Sequence, residues 1–206
     1  MEIIEQNWRF VNPTFETDED YKNIVRVLEY AGRRCYQSDP KGDPEEFLRT
    51  RILASKHHSV LEHCSVTVVA VTDRGVTHEI VRHRLASYSQ ESTRYCNYGK
   101  LGVKFIVPAD FHLVEEDLKL LKTIEDHYNW CLAIGRTPQQ ARYFLPNGLK
   151  TEITMTYNLR QWMHFFALRF QGVTGKPHPQ MKALAESMAK VFAEKIPVIF
   201  GYLKEV

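Results

Sequence analysis

The hydrophobic period of the chain changes at one residue, Asn158, from two residues to roughly 3.6. From Lys150 to Tyr157 apolar and polar residues alternate, which predicts a strand with one buried face. From Asn158 to Phe170 apolar residues recur at helical spacing, which predicts an amphipathic helix directly after the strand. A strand and a helix that follow one another without a linker must both bury an apolar face, so we expect a sheet packed against helices.

Further segments extend this mixed pattern. Ser65 to Thr72 reads SVTVVAVT, which is rich in β-branched residues and predicts a second strand. Lys104 to Val107 is a brief apolar stretch that ends at a proline. Helices are predicted, in chain order, over Asp18 to Tyr36, from Pro44 onward, from Thr77 onward, over Glu115 to Ile134, over Thr137 to Phe144 and from Pro179 to Pro197. The predicted fold class is α+β, with a modest antiparallel sheet covered by long helices.

Two of these helices have recognisable start signals. Thr17 followed by Asp20 resembles a capping box. Asp43 directly precedes Pro44, an order that is typical of an N-cap residue followed by the first helical position. The helix that begins at Pro44 is expected to bury Phe47, Leu48, Ile52 and Leu53.

Length and composition limit the classes of function. With 206 residues, 44% hydrophobic and 25% charged, the chain is expected to form a single domain over residues 1–206, with two compact lobes as the alternative. A formal net charge of +2 creates no global field for nucleic acid or an anionic membrane, and no apolar run approaches the ~20 residues of a membrane span. The four cysteines form no CxxC pair and the N-terminus has no signal-peptide pattern, so a cytoplasmic location is expected.

One short segment concentrates cations and hydroxyl groups. Residues 82–95 read RHRLASYSQESTRY, with Glu91 as the only acid. Guanidinium groups pair bidentately with phosphate oxygens and hydroxyls add short hydrogen bonds, so the segment favours a phosphate or another oxyanion as its ligand. In an extended backbone Arg82 and Arg84 would point to one side and His83 to the other. On chemistry alone, a solvated basic loop without a ligand is the alternative.

The same segment resembles the signature of the flavin-dependent thymidylate synthases, which is Arg-His-Arg, seven variable residues, Ser, and commonly Arg-Tyr two residues on. Here the matching positions are Arg82, His83, Arg84, Ser92, Arg94 and Tyr95. Three other segments resemble site segments of that family: residues 57–63 (HHSVLEH), residues 141–146 around Arg142, and residues 158–169 (NLRQWMHFFALR). The resemblance therefore extends over most of the chain, from about His57 to Arg169.

The resemblance implies a role for each matching residue. Those that would approach the substrate dUMP are Glu79, Arg82, Gln90, Glu91, Ser92, Thr93, Arg94, Arg142 and Arg169, with Glu91 and Thr93 contributing mainly backbone. Those that would contact FAD are His57, Ser59, Arg82, His83, Arg84, Gln90, Asn158, Arg160 and His164. Arg169, which would meet the uracil ring, and Ser92 are the implied catalytic residues.

The implied activity is methylation of dUMP to dTMP. Methylenetetrahydrofolate would be the one-carbon donor, and NADPH would reduce the FAD. The resemblance also implies a homotetramer with active sites shared between subunits, and it implies no metal, nucleic-acid or membrane partner.

Two positions depart from the family pattern, and one helix supports it. Position 79 is Glu where some members have Gln, and position 90 is Gln where others have Glu, which removes a possible base. Asn158 and Arg169 are eleven residues apart, close to three helical turns, so we expect them on one helix face. Arg160 and His164 form an i, i+4 pair on the same predicted helix.

Other functions remain open from the residues alone. The cluster His57, His58, Glu62, His63 and Cys64 suggests a metal-dependent hydrolase, although its spacing is not a standard zinc arrangement. The interleaved arginines and tyrosines of residues 82–95 suggest a nucleotide- or nucleic-acid-binding module without catalysis. Neither a GxSxG elbow nor an activated cysteine pair is present, so nucleophilic catalysis by Ser92 or a cysteine is not favoured.

Overall fold

A computed structural model describes residues 1–205 as six strands and nine α-helices joined by shorter helical segments. The strands are β1 (Glu2–Ile4), β2 (Asn7–Asn12), β3 (Ser65–Asp73), β4 (Ala86–Gln90), β5 (Lys104–Ile106) and β6 (Lys150–Asn158). The α-helices are α1 (Asp18–Arg34), α2 (Pro44–Phe47), α3 (Arg74–Ile80), α4 (Tyr98–Leu101), α5 (Glu115–Ala133), α6 (Pro138–Ala141), α7 (Leu159–Arg169), α8 (Pro179–Lys195) and α9 (Pro197–Phe200). A π-helix spans Leu48–Leu53, and 3₁₀ segments span His58–His63, Arg142–Phe144 and Gly201–Glu205. Among residues 1–205, no helix combines the length and the apolar composition that a bilayer span requires.

Four strands form the main sheet in the order β2-β3-β6-β4. The Leu159 N–H donates to the Cys64 carbonyl at 3.0 Å, and the Arg74 N–H donates to the Leu149 carbonyl at 3.2 Å. Residue numbers rise along β3 as they fall along β6, so the two strands are antiparallel, as predicted. The sequence did not predict the second, two-stranded sheet, in which β1 runs parallel to β5 with Ile3 opposite Phe105.

The chain divides into two units, each built from separate stretches of sequence. Unit 1 contains residues 1–8, 69–82 and 88–154, and unit 2 contains residues 9–68, 83–87 and 155–206. The core of unit 1 surrounds Tyr128, which is fully buried on α5, and includes Tyr98, Val103, Phe105, Cys131, Ala141 and Leu149.

Aromatic rings form the core of unit 2. The ring of Phe192, on α8, lies 4.7 Å from that of Trp162 and 5.2 Å from that of Phe166, both on α7. It also lies 5.1 Å from the ring of Phe10 and 5.4 Å from that of Phe200. The Trp162 indole N–H donates to the Val66 carbonyl at 3.1 Å, so burial of this ring leaves no polar atom unsatisfied. Helices α7 and α8 therefore pack through the ring of Phe192, which contacts the rings of Trp162 and Phe166.

The predicted change of period at Asn158 is confirmed. In β6 the residues Ile153, Met155 and Tyr157 are fully buried and alternate with more exposed neighbours. Helix α7 begins at the next residue after Asn158, whose side-chain oxygen accepts the Gln161 N–H at 2.8 Å as an N-cap.

Three helix predictions need correction. Helix α1 ends at Arg34 rather than Tyr36, and Thr17 makes no side-chain capping bond. The Asp20 carboxylate, which would complete the capping box, accepts the Phe15 N–H at 2.8 Å instead. Helix α3 begins at Arg74 rather than Thr77, because Asp73 caps it by accepting the Val76 N–H at 2.7 Å. The helix predicted over 137–144 is α6 followed by a 3₁₀ segment.

The cap at Asp43 is confirmed, since its side chain accepts the Glu45 N–H at 3.0 Å. Of the residues expected to be buried after it, Leu48 and Ile52 are buried, whereas Phe47 and Leu53 are half-buried. The π-helix over Leu48–Leu53 accounts for part of this difference, because its wider turn rotates the side chains away from α-helical spacing.

Replacing Phe192 with Ala is expected to lower the free energy of unfolding by about 3–5 kcal/mol, because the cavity removes contacts with several neighbouring rings. Denaturant unfolding measures this. Phe111→Ala is the control, since Phe111 is 57% exposed, and its effect should stay within about 0.5 kcal/mol. Equal effects of the two changes would contradict the central place of Phe192 in unit 2.

Candidate functional site

The Arg-His-Arg segment turns the chain from α3 into β4. His83 is 3% exposed, whereas Arg82 and Arg84 are both exposed. The backbone here is a turn, with the Arg82 N–H donating to the Glu79 carbonyl at 3.2 Å, and not the extended segment for which the alternation was considered. Leu85 follows with a positive φ of 66°, and its side chain is 85% exposed. A leucine in the left-handed region is uncommon and marks a position where the surroundings determine the backbone.

The buried histidine holds an arginine within unit 2. The Arg169 Nε donates to His83 Nε2 at 3.2 Å, and the His83 ring lies 5.1 Å from the Phe165 ring. Because Nε2 accepts a hydrogen bond, it carries no proton in this arrangement and the imidazole is neutral. Arg169 is the last residue of α7, where the helix dipole favours a cation. The hydrogen bond to His83 is therefore one contact that orients its guanidinium group.

A tight turn follows β4 in unit 1. The Ser92 carbonyl accepts the N–H groups of Tyr95 at 3.1 Å and Cys96 at 2.9 Å. The Ser92 Oγ accepts the Arg94 N–H at 3.3 Å. We refer to residues 92–96 as the 92–96 turn. It places a hydroxyl group and an exposed guanidinium two residues apart, which is a suitable pair of donors for an oxyanion.

Two side chains from the segment 137–144 bind the 92–96 turn. The Arg142 Nη1 donates to Thr93 Oγ1 at 3.0 Å, and Thr93 is 5% exposed. The Arg94 Nε donates to Gln139 Oε1 at 2.9 Å. The sequence resemblance placed Arg142 with the substrate residues, and the structure brings it to the same turn. Gln139 was not identified from the sequence.

Gln90, the last residue of β4, lies beside two buried hydroxyl groups. Its Nε2 donates to Thr77 Oγ1 at 2.9 Å and to Thr151 Oγ1 at 3.3 Å. The Thr77 hydroxyl proton is itself donated to the Arg74 carbonyl at 2.9 Å, so Thr77 accepts from Gln90. A carboxylate at position 90 would have no proton to offer, so the amide suits this environment.

Two cavities in unit 2 share Arg160 and His164. One, of about 500 Å³, is lined by His58, Arg160, Met163, His164, Ala167 and Tyr202. The other, of about 320 Å³, is lined by Glu62, Leu85, Asn158, Arg160, Gln161 and His164. The predicted i, i+4 pair thus faces common cavities. Met163 and Tyr202 were not identified from the sequence, and His58 was considered only as a metal ligand. Met163 follows Arg160 by three residues and so shares its helix side.

Several predicted residues lie apart from these cavities or are partly engaged. His57 and Ser59 are exposed, and neither residue lines either cavity. Arg169 lines neither cavity, whereas Asn158 lines the smaller one, so the two residues expected on one helix face do not share a cavity. Arg160 forms an exposed ion pair with Glu62 at 2.6 Å. Glu79, on α3, is half-buried.

The histidine-rich cluster does not supply a metal site. Within residues 1–205, no three His, Cys, Asp or Glu side chains are arranged to bind a metal ion. Glu62 pairs with Arg160, and Cys64 is buried with its Sγ 3.9 Å from the Ile24 carbonyl. Burial raises the pKa of the Cys64 thiol to about 11, so the thiolate that binds metals or attacks carbonyls is scarce at neutral pH.

The two units carry different parts of the predicted site. Unit 1 holds most of the substrate set, namely Glu79, Arg82, Gln90, Glu91, Ser92, Thr93, Arg94 and Arg142. Unit 2 holds most of the cofactor set, namely His57, Ser59, His83, Arg84, Asn158, Arg160 and His164, together with Arg169.

Comparisons with known proteins give a consistent result. The sequence model of the Thy1 family, described as thymidylate synthase complementing protein, matches residues 19–198. A flavin-dependent thymidylate synthase from Geobacter sulfurreducens is 32% identical over 82% of this chain and 78% of its own length. One from Mycobacterium tuberculosis is 34% identical over 85% of this chain and 78% of its own.

A solved structure has a similar fold. A UMP/dUMP methylase, PolB, from Streptomyces cacaoi bound with 5-Br dUMP superposes with a TM-score of 0.76 over 100% of this chain and 97% of the other. Its sequence is 22% identical, so this likeness concerns the fold alone.

Replacing Gln90 with Glu is expected to lower the free energy of unfolding by about 1–3 kcal/mol at neutral pH, because the new carboxylate faces a Thr77 oxygen that already donates its proton elsewhere. The loss should shrink as the pH falls, since the protonated acid regains a donor. Chemical denaturation at several pH values measures both effects. Ser89→Asp adds a carboxylate at the adjacent, exposed position and is the control. If Gln90→Glu lowered the free energy of unfolding at neutral pH no more than Ser89→Asp does, the hydrogen bonds assigned to Gln90 would be contradicted.

Proposed function

Because the chain belongs to the flavin-dependent thymidylate synthase family, we propose that it is an enzyme that methylates dUMP to dTMP, with methylenetetrahydrofolate as the one-carbon donor and FAD reduced by NADPH. The observation that carries this proposal is the 92–96 turn, where Ser92 and Arg94 stand on a backbone held by Arg142 through Thr93 at 3.0 Å. Hydroxyl and guanidinium donors on a constrained turn suit the phosphate of a nucleotide.

We assign the nucleotide phosphate to Ser92 and Arg94, with Arg142 as an additional cation. Ser92 Oγ accepts the Arg94 N–H, which leaves its own proton for donation to a phosphate oxygen. Thr93 would contribute its backbone N–H, because its hydroxyl accepts from Arg142. Glu91 would act only indirectly, because its carboxylate pairs with Lys150 and its N–H donates to the Glu152 carbonyl at 2.8 Å. Glu79, Arg82 and Gln90 complete the proposed substrate set.

We assign the uracil ring to Arg169. Its guanidinium is permanently charged and carries donors in a rigid plane, so it can favour the ring form with negative charge on N3 and O4. The bond to His83 at 3.2 Å uses Nε and supports a defined orientation of the remaining donors. Ser92 would act by holding the nucleotide rather than as a nucleophile, since its Oγ takes part in the turn.

The donor set of α7 fits a flavin dinucleotide. Arg160 and His164 border cavities of about 500 and 320 Å³, and a guanidinium with an imidazole suits a pyrophosphate. Met163, Ala167 and Tyr202 provide an apolar wall against which a ring can pack. Flavin supplies the redox chemistry of the reaction when bound. The protein residues bind it, orient it and place charges, with His57, Ser59, Arg82, His83, Arg84, Gln90 and Asn158 as the further proposed contacts.

Residues 1–206 are proposed to form one catalytic domain that assembles into a homotetramer with shared active sites. The alternation of the two units along the chain supports a single domain, because neither unit is a continuous segment that could be removed. Exposed side chains in or next to the signature, among them Arg82, Arg84 and Tyr95, leave surface for a neighbouring subunit. The four free cysteines support a cytoplasmic location.

The purified protein is expected to be yellow from bound FAD, to sediment at about four times the 24.1 kDa chain mass, and to form dTMP from dUMP when methylenetetrahydrofolate and NADPH are added. Absorbance spectroscopy, sedimentation and product chromatography measure the three properties. A colourless protein that forms no dTMP after FAD is supplied would refute the proposed function, and a sedimenting monomer with full activity would refute the shared sites.

Arg169→Lys keeps the positive charge but loses the planar fork, so it is expected to weaken dUMP binding by roughly ten- to hundredfold, the equivalent of about 1.5–3 kcal/mol, while FAD binding stays nearly unchanged. Arg169→Ala should be worse. Titration of the flavin absorbance with dUMP measures the affinity. Arg26→Lys is the control, because the Arg26 side chain is 64% exposed and pairs with Glu19. Wild-type affinity and turnover in Arg169→Lys would remove Arg169 from the substrate site.

A further inference from the structure

A lysine with two carboxylate partners lies beside the 92–96 turn in unit 1. Lys150, the first residue of β6, donates to Glu91 at 2.9 Å and to Glu152 at 2.7 Å. The Tyr98 hydroxyl donates to the other oxygen of the Glu91 carboxylate at 2.7 Å. Both oxygens of Glu91 are therefore hydrogen-bonded, one to a cation and one to a hydroxyl.

Burial strengthens this network. The side chains of Lys150 and Glu91 are 17% and 15% exposed, and Tyr98 is 4% exposed. Burial lowers the pKa of Lys150, but the hydrogen bonds to Glu152 and Glu91 outweigh it and raise the pKa overall, so the lysine stays charged. Burial and the Glu91 carboxylate raise the pKa of Tyr98, so its hydroxyl remains a donor. Water and salt screen the attraction within a poorly exposed ion pair less than within an exposed surface pair, so its contribution to stability is larger.

The network holds the 92–96 turn at both ends. Glu91 immediately precedes the turn, and its N–H donates to the Glu152 carbonyl at 2.8 Å. Tyr98 follows the turn by two residues, and its own N–H donates to the Tyr128 hydroxyl on α5 at 3.2 Å. The Tyr98–Glu91 bond thus closes residues 91–98 into a ring that is attached to β6 on one side and to α5 on the other.

Open space lies on one side of this ring. It borders a cavity of about 550 Å³ whose lining includes Ser89, Glu91, Cys96, Tyr98, Lys150 and Glu152. On the side of the cavity, the polar contacts of Glu91 add a restraint to the burial of Tyr98 in the core of unit 1.

We propose that Lys150 and Tyr98 are positioning residues for the nucleotide phosphate, because through the Glu91 carboxylate they hold the 92–96 turn in the conformation that presents Ser92 and Arg94 to the ligand. This inference rests on the proposed function. Neither residue touches the substrate. Their effect is confined to the phosphate end of the nucleotide, which separates it from a general effect on stability.

The test compares dUMP with deoxyuridine, which has the same base and sugar but no phosphate. Glu91→Ala, Lys150→Met and the double variant are titrated as FAD-loaded proteins with each ligand. Each single change is expected to weaken dUMP binding about tenfold, since the loss of a charge-assisted hydrogen bond has about this magnitude. The affinity for deoxyuridine should change by less than about twofold, and the FAD content should stay unchanged. The double variant should lose no more dUMP affinity than the more damaging single variant, because both changes break the contact between Lys150 and Glu91.

Two further variants keep the test decisive. Lys122→Met is the matched control, since Lys122 also pairs with two carboxylates, Glu125 at 2.9 Å and Asp126 at 2.8 Å, but on α5. It should leave both affinities unchanged. Tyr98→Phe removes only the hydroxyl and keeps the buried ring, so it remains usable if Glu91→Ala fails to fold. Tyr98→Phe should weaken dUMP binding about threefold, as expected for the loss of one hydrogen bond.

The outcomes separate the inference from the proposed function. Unchanged dUMP affinity in Lys150→Met and Tyr98→Phe overturns the positioning role while the proposed function stands. Equal losses for dUMP and deoxyuridine also overturn it, because a phosphate-specific effect is then absent. A wild-type protein that binds no dUMP overturns the proposed function itself.

Discussion

The change from strand to helix at Asn158 is the constraint on which the rest of unit 2 depends. The Leu159 N–H still belongs to the sheet, as it donates to the Cys64 carbonyl at 3.0 Å. Two residues later, the Gln161 N–H donates to the Asn158 side chain at 2.8 Å and opens α7. One short segment therefore aligns the sheet with the helix. Every candidate site residue of α7, from Arg160 to Arg169, takes its direction from that alignment.

Most cations of the candidate site are already hydrogen-bonded within the protein. Arg160 pairs with Glu62, Arg142 donates to Thr93, and Arg169 donates to His83. A guanidinium carries five N–H donors, so one bond to the protein orients the group and leaves others for a ligand. Orientation before binding lowers the entropic cost of holding a phosphate or a charged ring. The site is therefore organised by contacts that do not themselves need the ligand.

Local patterns succeeded where the physical cause is local. Strand β6 and helix α7 were predicted because alternation and helical spacing reflect which face of each element is buried. The start of α3 was missed because its cap, Asp73, is also the last residue of β3. The capping box at Thr17 failed because Asp20 accepts the N–H of Phe15, a residue with a positive φ of 56°. Competing partners a few residues away decide such cases, and spacing does not rank them.

The sequence by itself determined the mixed sheet and helix architecture and the segments that carry the family resemblance. The tertiary structure alone decided which side chains meet. Lys150 reaches Glu91 across 59 residues, Arg169 reaches His83 across 86, and Arg160 reaches Glu62 across 98. Periodicity reports the environment of a residue along its own element. The partner of a charge is set by how elements distant in sequence pack, and no local pattern encodes that distance.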